Sequence, residues 1–176
     1  MEIGNFMFQR RKLTVALLAT FLSFNIAFQA ACGASTLSKL HDSLNQAAKS
    51  LNAAAKTNHQ FYEGGVYGAV GSPNAITTRQ KAATVIHDAN EKLILALNLA
   101  QNLTAATFEQ GKLAVLQALA DAAAGLSTGN TKIDLVLQSV ATIINQAVVL
   151  IQAFKSAQLK YVLPEIRTWK LAEVSV

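Results

Sequence analysis

The sequence predicts an all-α protein: an antiparallel bundle of three to four long helices that follows an N-terminal export signal. Three observations carry this. Leu37, Leu40, Leu44, Ala47, Leu51, Ala54 and Asn58 fall at alternating spacings of three and four, the a/d seam of a helix that packs on another helix. Leu135 to Phe154 is a run of twenty residues without a charge, long enough for a buried helix. Arg10, Arg11 and Lys12 precede an uncharged apolar stretch, the pattern of an export leader. No stretch carries a strand signal of comparable strength.

Composition agrees with a packed domain. Of 176 residues, 52% are hydrophobic and 14% charged, and the mean hydropathy is +0.30. Average domains carry about 25% charged residues, and disorder requires low hydrophobicity with high net charge. Two prolines and nine glycines exclude a collagen-like chain. One cysteine excludes an internal disulfide framework or a cysteine-rich zinc site.

The formal net charge is +5; removing Arg10, Arg11, Lys12 and Glu2 with the leader leaves 12 basic and 9 acidic residues, a net of +3. The basic residues are scattered along the chain. A nucleic-acid binder gathers them on one face, so no nucleic-acid partner is expected.

Residues 1–31 are read as a signal peptide or an N-terminal membrane anchor, and 32–176 as the bundle domain. After Lys12 no charge appears until Lys39. The small-residue zone runs Ala30-Ala31-Cys32-Gly33-Ala34-Ser35. This junction resembles the lipobox of bacterial lipoprotein precursors, matched by Ala30, Ala31, Cys32 and Gly33. Gln29 stands where that class places an aliphatic residue. The resemblance covers the leader alone and implies lipidation of Cys32. Two other outcomes stay open: ordinary signal cleavage near Ala34, and an uncleaved anchor, since 13–38 is long enough to span a bilayer with its basic flank held on the cytoplasmic side.

The first helix is expected from about Leu37 to Gln60. A Gly-rich loop follows near 61–75, where four glycines and Pro73 interrupt any helix. It gathers Phe61, Tyr62 and Tyr67, which either cover the bundle end or form a contact loop. A second helix is expected from Thr77 or Thr78 to about Thr107, with Ile86, Ala89, Leu93, Leu97 and Ala100 buried. A third starts near Thr107, where Thr107 and Gln110 have capping-box spacing. It carries Leu113, Leu116, Leu119, Ala120 and Ala123 and ends at Gly125, with Gly111 as a weak point. Ser127 to Thr131 reads as a turn.

The fourth helix is expected from Lys132 to Leu163, ended by Pro164. Its apolar middle has the length of a membrane span. Gln138, Thr142, Asn145 and Gln152 interrupt it, and amides are costly in hydrocarbon, so a core helix with a polar stripe is the better account. In the tail, Trp169 lies between Arg167 and Lys170. Such flanks suit a membrane interface; a tryptophan closing one end of a core is the alternative.

No set of residues announces catalysis. His41, His59 and His87 form no His-x3-His pair, and no Glu-x-x-His motif of di-iron bundles is present. Asp88 and Glu91 read as solvated surface, and Asp121 sits among alanines. No nucleophile elbow or phosphate loop occurs. No catalytic, cofactor-binding or metal site is therefore expected. The reading is a non-enzymatic, exported and membrane-anchored bundle that acts by protein–protein contacts in the cell envelope, self-association included. A membrane-active or apolar-ligand-binding bundle is the alternative.

Overall fold

The computed structural model describes residues 36–154 and 166–175. Four helices follow one another there: α1 (Thr36–Glu63), α2 (Pro73–Gln101), α3 (Phe108–Ala124) and α4 (Thr131–Gln152). The leader, Cys32 and residues 155–165 lie outside the described residues; α4 ends at Gln152, where Ala153 caps it and Phe154 is no longer helical, short of the Leu163 expected from the sequence.

The helices form a ring in which α1 packs on α2 and α4, and α3 packs on α2 and α4. Direction alternates around it. Lys132, at the start of α4, reaches the Val66 carbonyl just past the end of α1 at 3.1 Å. Lys92 of α2 reaches the Asp121 carbonyl near the end of α3 at 3.3 Å.

The seam read from the sequence is the inner face of α1: Leu40, Leu44, Ala47, Leu51, Ala54 and Asn58 are all buried. On α2 the corresponding residues are Ala82, Ile86, Ala89, Leu93, Leu97 and Ala100, and on α4 they are Ile133, Leu137, Val140, Ile144, Ala147 and Ile151. Each buried leucine or isoleucine contributes about 1.5–3 kcal/mol relative to exposure. The interleaved alanines let neighbouring backbones approach closely. Ser43, Ser50 and Thr57 are also buried; they repeat every seven residues along one flank of α1, and Ser43 satisfies its hydroxyl on the Lys39 carbonyl at 2.8 Å.

Several boundaries differ from expectation. Helix α2 begins at Pro73, four residues early, because Ser72 caps it by accepting from the Ala75 N–H and proline suits the first turn. Helices α2 and α3 are separated by 102–107, a true corner, whereas Gly111 lies inside α3. A Cβ at Gly111 would run into the Leu103 side chain, so this glycine serves close approach and not a hinge. Thr107 makes no side-chain cap; its hydroxyl is held by that of Thr104 at 2.7 Å. Of the apolar residues of α3, Leu113 is 68% exposed, while Leu119, with Val115, Ala118 and Ala122, faces the core. Leu113 stands in one row with Glu109, Gln117 and Asp121 at four-residue spacing, so it lies on the polar side of α3.

Helix α4 is long and apolar enough to cross a membrane, with a mean hydropathy of 1.7. In the bundle its inner face is buried, and its outer face alternates Gln138, Thr142, Asn145 and Gln152 with Leu135 and Val149. Its C-terminal carbonyls are capped from α3: Lys112 Nζ donates to the carbonyls of Gln152 at 2.8 Å and Phe154 at 2.7 Å. A cation at a helix C-terminus also complements the helix dipole.

Candidate functional site

A groove of about 650 Å3 lies between the C-terminal half of α1 and the N-terminal half of α2. It is shaped by the segment that reverses the chain between them. Helix α1 runs on to Glu63, so Phe61 and Tyr62 are helical and only 64–72 is turn. Phe61 meets Tyr67 edge to face with ring centroids 5.9 Å apart. The Tyr62 hydroxyl accepts from the Gly71 N–H at 3.2 Å, an approach that uses a left-handed φ of 83° at Gly71. Arg79 lies over the Tyr62 ring, 4.8 Å from its centre. The three aromatics thus hold the turn together, and of them only Tyr62 lines the groove.

One buried amide joins these parts. Asn58 is 4% exposed. Its Nδ2 donates to the Arg79 carbonyl on α2 at 3.0 Å, and its Oδ1 accepts from the Tyr67 hydroxyl at 3.0 Å. Burial and the nearby Asp134 carboxylate push the Tyr67 hydroxyl up to about 12, so at neutral pH it is a donor.

The 127–131 turn is organised in a similar way. Asp134 accepts from the Thr128 hydroxyl at 2.7 Å and N–H at 2.8 Å, the Gly129 N–H at 3.0 Å and the Ser127 hydroxyl at 3.2 Å. Burial pushes its carboxyl up, but these hydrogen bonds together outweigh burial and hold it below the usual carboxylate range.

The groove walls are cationic and amidic. Lys56 and His59 come from α1 and Arg79 and Gln80 from α2, above small side chains at Ala55 and Ala83. No carboxylate lines it. Ser175 closes one end, and this defines the path of the tail. Trp169 packs on the His41 ring with centroids 5.0 Å apart. Its carbonyl accepts from Gln101 Nε2 at 2.7 Å, and the Ile166 carbonyl accepts from the same atom at 3.3 Å. From there the chain runs to Ser175, with Leu171 and Val174 packed on the core. Six extended steps span about 20 Å, and the fifteen helical steps from His41 to Lys56 span about 22 Å. Residues 169–175 therefore lie along the α1/α2 furrow.

Trp169 itself is 9% exposed, covering the end of the core where α1 starts and α2 ends. Near it, Leu103, Phe108, Phe154 and Ile166 border an apolar cavity of only about 30 Å3, the share of a single water in liquid and far below a ligand site. Among the described residues no three His, Cys, Asp or Glu side chains gather into a metal-binding group. His59 and His87 are exposed, as are Asp88 and Glu91. Asp121 is exposed and accepts from Gln117 at 2.8 Å.

Of the residues singled out in the sequence, Cys32 lies outside the described part, and Trp169 stands at the other end of the furrow from Tyr62. The reading missed Lys56, Arg79 and Gln80 as one wall set. The spacing of Lys56 and His59 puts them on one face of a helix, but nothing local tells which helix lies opposite. Compared with protein-family models, with curated proteins and with solved structures, this chain matches none.

Proposed function

We propose that this chain is an exported helical-bundle protein, held at a membrane through lipid on Cys32 or through an uncleaved leader, that acts by protein–protein contacts in the cell envelope and not as an enzyme. The observation that carries the reading is the leader, in which Arg10, Arg11 and Lys12 precede an uncharged apolar run followed by small residues around the lone Cys32. The open α1/α2 groove adds support, since its lining pairs no carboxylate with its histidine and suits recognition more than proton-transfer chemistry.

Intact mass of the protein from its native host, combined with crosslinking in whole cells, tests this. A chain that starts at Cys32 with added acyl mass, or one that retains Met1 in the membrane fraction, is expected, crosslinked to a second protein or to another copy. An unmodified chain in the cytoplasm that captures nothing overturns it.

Helix α4 favours a second reading, a membrane-active bundle, because Leu135 and Val149 are 62% and 64% exposed on a helix of spanning length. Failure of the leaderless protein to float with liposomes, with Trp169 emission unchanged by lipid, would remove it.

A further inference from the structure

We propose that Asn102 is a modification site, the acceptor of an N-linked glycan added during export. This goes beyond the envelope-contact reading and rests only on its export part.

The chain contains Asn102-Leu103-Thr104, and of its asparagines Asn102 alone has a serine or threonine two residues further on. An Asn-x-Ser/Thr triplet without proline is the acceptor signal for N-glycosylation, and it acts where an exported chain presents it on the surface. From the sequence the triplet falls inside the expected second helix. The structure moves it out: α2 ends at Gln101, Asn102 caps it, and the corner 102–107 begins there. Asn102 and Thr104 are exposed, with Leu103 buried between them. Leu103 pins the corner to the core against Phe108, and the two side chains that form the signal stand in solvent.

The atoms allow the product. Asn102 Nδ2 donates to the Asn98 carbonyl at 2.8 Å. A primary amide carries two N–H donors, so a sugar on this nitrogen leaves the second N–H for the same bond. The donor is an oligosaccharide linked through C1 to a polyprenyl pyrophosphate. The amide nitrogen forms the bond to C1, the bond from C1 to the pyrophosphate oxygen breaks, the pyrophosphate leaves with the electron pair, and the amide gives up one proton. Nothing is oxidised or reduced. Transfer during export meets the chain before the bundle closes, so the fold need only leave room for the glycan. It does: the neighbours Thr104, Ala105, Ala106 and Thr107 are small and exposed.

The outer surface of α2 also gives the glycan something to cover. Glu91, Leu95, Asn98 and Asn102 follow at spacings of four, three and four and are all exposed, so they form one outward stripe. Leu95 is 49% exposed, with Ile94 beside it. Seven helical residues separate Leu95 from Asn102, about 10 Å, within reach of a branched oligosaccharide. On a chain with few charges, a bulky, solubilising group there shields the apolar part of the stripe.

Intact mass and peptide mapping of the full chain from its native host, before and after peptide N-glycosidase, test the proposal. Added mass in hexose and N-acetylhexosamine increments is expected, mapped to Asn102 and removed by the glycosidase with deamidation at that residue. Asn102→Gln and Thr104→Ala should each abolish it. Thr104→Ser, which keeps the hydroxyl, should retain it, and that separates loss of the signal from a disturbed corner. An exported chain whose Asn102 is unmodified, or a Thr104→Ala variant that still carries the glycan, overturns the proposal and leaves the envelope reading standing. An unmodified chain retained in the cytoplasm overturns both.

Discussion

The Tyr67 hydroxyl donates to Asn58 Oδ1 at 3.0 Å, and through that amide the glycine-rich turn is tied to the backbone of α2 at Arg79. Asn58 occupies the last seam position of α1, where a leucine would fill the same space. The amide is retained in a core position at the cost of desolvation, which is recovered only while both of its partners are present.

Removing one partner should therefore cost more than removing both would suggest. Tyr67→Phe leaves Asn58 Oδ1 buried and unpaired and is expected to destabilise by about 1–2 kcal/mol. Asn58→Ala should cost a similar amount. The double variant should fall short of the sum by about 1 kcal/mol. Urea unfolding of the three variants measures this; strict additivity would show that the bond contributes nothing.

The turn before α4 should respond to acid through Asp134. Its folded carboxyl sits below the ordinary range, so its contribution is complete above roughly pH 3.9, the unfolded value, and is lost as pH falls through the lower folded value. Asp134→Asn is expected to cost about 1 kcal/mol at pH 7, modest because the site is partly open to water. The gap between parent and variant should narrow as pH falls below about 3.9. Unfolding midpoints of the two proteins on either side of that value check the sign.

Lys112 holds the end of α4 from a neighbouring helix. Lys112→Met keeps much of the aliphatic stem and removes the cap, and about 1 kcal/mol of stability should go with it. Hydrogen exchange should locate the loss: amides in the last turn of α4 should exchange several-fold faster, while those around Leu137 and Val140 should change only with global stability.

The tail is anchored mainly at one end. Trp169→Ala removes the contact with His41 and should cost about 2–3 kcal/mol, below the range for a fully enclosed tryptophan. Gln101→Ala should cost less, because it leaves two carbonyls that water can reach. In both variants residues 166–175 should become cleavable by protease before the helices do. Simultaneous loss of tail and bundle would show that the tail is part of the cooperative core.

Much of the fold is legible in the chain because burial within a helix repeats with the helix's own period. The seam from Leu40 to Asn58, the alternation on α4 and the turn at 127–131 all follow from neighbours in sequence. Helix α3 is rich in alanine and leucine throughout, yet Leu113 shares a row with Glu109, Gln117 and Asp121, and that polar side is the one that turns outward. The break before α3 was legible from the capping-box spacing at Thr107, but α2 ends at Gln101, six residues before it, and no proline or glycine marks that end.

The groove was the least legible part. Lys56 and Arg79 are 23 positions apart in the sequence, and Ser175 is farther still. By itself the sequence determined which residues form helices and which face of α1, α2 and α4 turns inward, since both are set by local propensity and periodicity. The tertiary structure alone decided that Asn58 meets Tyr67, that Lys112 caps α4, and that Trp169 packs on His41. Those are contacts between distant segments, fixed by the order and direction in which the four helices pack, and no local pattern records them.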